Sequence, residues 1–121
     1  MNGDKIESKP QVSQPSSLDQ PVEDVVIKDS TLMLLGFAMV GKQCRNELHE
    51  GPANSPSAVC ALGARNFAKY GTALPGVDAN YCDFLETLDK ALGCIDAVPH
   101  LNDVRKLSIP EIAAMLAEKG L

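Results

Sequence analysis

The chain has 121 residues, 45% of them apolar, and a net charge of −5. That length builds one hydrophobic core and excludes two ordinary domains; with no Trp, two Tyr and three Phe, the core falls to Leu, Ile, Val, Met and Ala, which favours helices over a sheet sandwich. The acidic balance, with Lys and Arg nowhere clustered, argues against nucleic-acid binding, and the longest apolar run, nine residues from Leu32 to Val40, is too short for a membrane span.

Residues 1–29 hold six acids against three lysines, together with three prolines. So polar a segment buries too little apolar area to offset its ordering entropy, so a disordered acidic tail is expected over 1–29 and a helical domain over 30–121. Asp29 or Ser30 can cap a first helix running from Thr31 to about His49, with Met33, Phe37, Val40, Cys44 and Leu48 at helical spacing. Gly36 and Gly41 weaken that helix or let another backbone come close. "EGPANSPS", residues 50–57, reads as a loop. Ser55 and Pro56 then start a second helix, which ends at Gly71 with Lys69 in its last turn.

Asp78 is the expected cap of a third helix, in which Tyr81, Phe84, Leu85, Leu88, Ala91 and Leu92 follow the 3.6-residue period and Gly93 stands just past the end. A long connection over 94–107 leads to a last helix that opens with a capping box, Ser108 with Glu111, and buries Ile109, Ile112, Ala113 and Leu116. The expected fold is mainly α, a small single-domain bundle of about four helices with no strand.

Four cysteines, at 44, 60, 82 and 94, raise two chemical possibilities. A zinc site joining them with His49 or His100 fits poorly, because structural zinc ligands come as close pairs and the gaps here are 15, 21 and 11 residues. The opening residues show no basic and apolar leader, so reduced thiols in a cytoplasm are expected, each behaving as a small buried hydrophobe. A cysteine hydrolase or transferase would use Cys60, in the first turns after Ser55–Pro56 where the helix dipole lowers a thiol pKa, with His100 and then Asn102 or Asp103 downstream. The strand scaffold of such enzymes is missing, and His100 and Asn102 stand too close in sequence for one to orient the other. Asn102, Asp103 and Arg105 in "LNDVRK" form the candidate binding patch, a polar loop held between helices.

Two stretches together carry a family resemblance. "VCALGA" at 59–64, followed by "LND" at 101–103 and a Ser-x-x-Glu-Ile start at 108–112, resembles an uncharacterised family of small bacterial and phage proteins with a Cys-Ala-Leu-Gly-Ala motif and a Trp-Asn-Asp loop; Leu101 stands here in place of the Trp. The resemblance covers about residues 30–120 and implies a mainly helical domain of unknown function. Pairing the motifs also suggests a structural use for both. A small-residue face at Ala61, Gly63 and Ala64 would let the 94–107 segment lie on the second helix, with Asn102 bonding its backbone.

The expected function is a non-enzymatic protein-binding or regulatory factor, possessing no cofactor or metal and contacting neither nucleic acid nor membrane. The alternative is the Cys60–His100 hydrolase or transferase. Self-association through the 32–40 run is a further way for the chain to find a partner.

Overall fold

A computed structural model describes residues 27–75 and 80–121, so the first 26 residues of the expected tail and the expected cap Asp78 lie outside the described residues. The chain is mainly α, as its composition predicts, with one two-stranded sheet among the described residues. Helix α1 (Asp29–Val40) is apolar on both sides: Leu32, Met33 and Gly36 are buried, while Leu34, Leu35 and Met39 are exposed.

α1 stops at Val40, well short of the expected His49, because Gly41 takes a left-handed conformation at φ 86° and returns its N–H to the Phe37 carbonyl. The apolar spacing that suggested more helix, Cys44 and Leu48, belongs instead to chain that pairs with residues far ahead in sequence. Cys44 N–H donates to Val59 O at 2.9 Å and Val59 N–H to Lys42 O at 3.0 Å. Strand β1 (His49–Glu50) then pairs antiparallel with β2 (Ala58–Val59), His49 opposite Val59. This pairing also corrects the start of the second helix. Ser57 N–H and Cys60 N–H bond the Glu50 and Leu48 carbonyls, which holds 57–60 extended, and α2 runs from Ala61 to Tyr70 rather than from Pro56. Its end at Gly71, with Lys69 in the last turn, is as expected.

Two glycines set the close crossings. A Cβ added to Gly36 would lie 1.8 Å from the Ala64 carbonyl oxygen, and one added to Gly63 would lie 2.1 Å from that of Leu48. The small-residue face of α2 therefore receives α1 and the chain before β1, where the sequence suggested the 94–107 segment would cover it.

Helix α3 (Tyr81–Leu92) buries Leu88 and ends at Gly93, at φ 85°. The expected connection is itself largely helical. A short α4 (Ala97–Pro99) continues into a π-helical turn over His100–Val104, where Arg105 N–H reaches back to His100 O at 3.0 Å. Asp89 tethers this segment to α3, its carboxylate accepting the N–H groups of Asp96 and Ala97 at 3.1 and 3.0 Å. Helix α5 (Ile109–Glu118) carries the predicted capping box and buries all four predicted residues. The core joins Met33, Val59, Leu88, Val98, Ile109, Ile112 and Leu116. No helix among the described residues is long and apolar enough to cross a membrane.

Candidate functional site

Asn102, expected on a binding loop, is 1% exposed. The π-helical turn aims its amide at four partners. Oδ1 accepts from Gln43 Nε2 at 2.7 Å and from Ala61 N–H at 3.1 Å; Nδ2 donates to Cys44 O at 3.0 Å and to Asp103 Oδ1 at 2.7 Å. The Ala61 bond matters because the first N–H groups of a helix have no partner within it. Asn102 thus bonds the backbone of α2, as pairing the motifs suggested, and it fastens three segments distant in sequence.

The neighbours extend this clasp. Gln43 Oε1 accepts the Ile109 N–H at 2.9 Å, at the start of α5, while its Nε2 also donates to Leu107 O at 3.0 Å. Arg45 Nη1 donates to the carbonyls of Asn102 and Leu107, and Asp103 Oδ1 takes the Asn46 N–H at 2.8 Å, which holds Asn46 at a left-handed φ of 67°. Asn102 and Asp103 are therefore committed to the frame; of the expected patch, Arg105 alone is exposed. A ligand approaching this loop meets Arg105 and the edge of Asp103, with Asn102 out of reach.

Cys60 is buried and stands at the N-cap of α2, its sulfur accepting the Gly63 N–H at 3.4 Å. The helix start was expected to lower its pKa. Burial outweighs that effect and the hydrogen bonds from Gly63 and Leu62, and pushes the thiol up. His100 lies exposed on the π-helical turn. A buried, protonated thiol and a solvated imidazole do not make an activated nucleophile.

The four cysteines do not converge as zinc ligands: all are free thiols, Cys44 and Cys60 buried, Cys82 and Cys94 exposed on and just after α3. The ligating atoms that do meet among the described residues are the sulfur of Cys44 and carboxylate oxygens of Glu47 and Glu50, all within 4.8 Å of one another. Burial, then the neighbouring charges of Cys60, Glu50 and Glu47, push the Cys44 thiol up to about 11.

A second polar cluster escaped the sequence reading. Arg65, its side chain 3% exposed, pairs with Asp29 of α1 at 3.1 Å. It also donates to Asn66 Oδ1 at 3.1 Å and Tyr70 Oη at 3.2 Å, and its guanidinium lies 3.6 Å from the Phe84 ring centre, a cation–π contact. Asn66 continues the cluster to Ala73 O and Tyr81 Oη. The available signal was phase: Arg65 follows Ala61 and Leu62 on the inward stripe of α2, where a charge demands a partner.

No protein-family profile, curated protein or solved structure matches the chain.

Proposed function

We propose that this chain is a non-catalytic binding domain, an accessory or regulatory factor working in a reducing cytoplasm, which takes a protein partner on the outer face of α1. The observation that carries this is the exposure of Leu34, Leu35 and Met39, 44%, 49% and 57%, on a helix with no charged residue between Asp29 and Lys42. Leu35 and Met39 are one turn apart and Leu34 adjoins them, so they form one patch. A cluster of large apolar side chains left in water marks an interaction surface.

The polar candidates support the same reading by being absorbed elsewhere. Asn102 and Asp103 hold the frame together, and the Cys60 thiol of the hydrolase alternative is raised by burial. Kinship with the small bacterial and phage family is part of the proposal. It is supported by the contact between its two motifs, in which Asn102 of "LND" bonds Ala61 of "CALGA".

The test is the double variant Leu35→Glu, Met39→Glu of the full chain. Both side chains point outward, so the variant should melt with the parent while losing whatever the parent holds, whether a second copy seen by light scattering or a captured protein. A parent that stays monomeric and captures nothing that the double variant loses overturns the proposal.

A further inference from the structure

The geometry points to a divalent-cation site on the loop between α1 and β1, with Cys44, Glu47 and Glu50 as its protein ligands. Their donor atoms already lie within 4.8 Å of one another, and the scaffold fixes both ends of the loop. Cys44 N–H is held by Val59 O at 2.9 Å, and Glu50 sits in β1, its carbonyl accepting the Ser57 N–H at 2.9 Å. Main-chain pairing that the fold needs anyway thus holds Cys44 and Glu50, with Glu47 on the loop between them, so two of the three donors need little ordering on binding.

The charges around the cluster call for a cation. Arg45 is turned away to the carbonyls of Asn102 and Leu107, and His49 sets its Nδ1 2.8 Å from the Gly51 carbonyl oxygen. Among the described residues no salt bridge engages Glu47 or Glu50; the ion pair present is Arg65 with Asp29.

Donor chemistry selects the ion. One sulfur with two carboxylate oxygens suits a borderline cation such as Zn²⁺ or Co²⁺ and is ill suited to Ca²⁺ or Mg²⁺, which want oxygen alone. Glu47 is exposed and Glu50 half-buried, so the outer coordination position stays open to water. Binding converts the Cys44 thiol to a thiolate: the S–H bond now directed to the Glu47 carbonyl at 3.5 Å gives way to a metal–sulfur bond, and one proton leaves to solvent per cation bound.

The test titrates Co²⁺ and then Zn²⁺ into the reduced full chain carrying Cys82→Ser and Cys94→Ser, which removes the two exposed thiols. A single equivalent of Co²⁺ should bind with a thiolate-to-cobalt charge-transfer band, and Zn²⁺ should displace it. Cys44→Ser should abolish the band. Because Cys44 is buried and its replacement can disturb folding, Glu47→Gln and Glu50→Gln provide the second readout: each should weaken Co²⁺ binding about tenfold or more with the metal-free melting curve unchanged. Absence of saturable single-site uptake, or uptake indifferent to both glutamine substitutions, overturns the site.

Discussion

Two buried polar centres stand out among the described residues, and they are built differently. The Asn102 amide is neutral and puts half of its bonds on backbone, Ala61 N–H and Cys44 O, and half on the Gln43 and Asp103 side chains, with Gln43 carrying the chain of bonds on to Ile109 N–H. Arg65 is charged and reaches side chains, Asp29, Asn66, Tyr70 and the face of Phe84. Main-chain groups cannot move away when their partner is lost, whereas side chains can turn to water. The Asn102 centre therefore fixes the path of the chain, and the Arg65 centre seals helices already placed.

Asn102→Ala should show the largest effect. It strands a buried N–H and a buried carbonyl, each costing about 1–3 kcal/mol, so a loss of about 2–6 kcal/mol is expected in denaturant unfolding. Arg105→Ala, on the exposed side of the same loop, should stay within about 0.5 kcal/mol of the parent. The glycine crossings come next and separate the two centres. Gly36→Ala forces apart α1 and α2, the helices that Asp29 and Arg65 tie together, and Gly63→Ala forces α2 from Leu48, beside the Asn102 centre. Each should lose on the order of 1–3 kcal/mol, and a thermal melt indistinguishable from the parent would contradict the close approach.

Arg65→Met should cost less than Asn102→Ala, about 1–3 kcal/mol, because the Asp29 side chain is 23% exposed and can be hydrated once its partner is gone. A larger loss than for Asn102→Ala would reverse the ranking of the two centres. Next comes the α5 cap, where Ser108→Ala should cost about 1 kcal/mol, above only the Arg105→Ala control. Hydrogen bonds from the Ser108 backbone N–H and then its side chain hold the Glu111 carboxyl below its usual pKa. A group whose folded-state pKa is lowered stabilises above its unfolded value, so this contribution is lost as the pH falls through the lowered one. The gap between the parent and Ser108→Ala should therefore narrow on acidification only by the side-chain share of this effect and keep the share of the pH-independent bond from Glu111 N–H to Ser108 Oγ; a gap that widens in acid would contradict the capping box.

Local signals were legible and non-local ones were not. The period of α3 and the Ser108–Glu111 box lie within one helix, and both stand where the sequence puts them. The end of α1 and the start of α2 were misread together because Lys42, Cys44 and Leu48 pair with residues 57–60, a contact that leaves no periodic trace. Asn102 could be read as a backbone partner of α2 because two motifs invited the pairing, but its burial could not, since Asn in a polar loop has the same composition whether it faces solvent or the core. Arg65 is legible only by its phase on the inward stripe of α2; its partner Asp29 stands 36 residues away and leaves no mark on the local pattern.

Amide hydrogen exchange at Ala61 tests the role of Asn102 most directly. As the first residue of α2, Ala61 has no acceptor within its own helix, so its N–H bond to Asn102 Oδ1 is the one that protects it. The Ala61 amide should exchange as slowly as the interior of α2 in the parent and much faster in Asn102→Ala. Rapid exchange in the parent, or slow exchange that survives the substitution, would contradict the clasp.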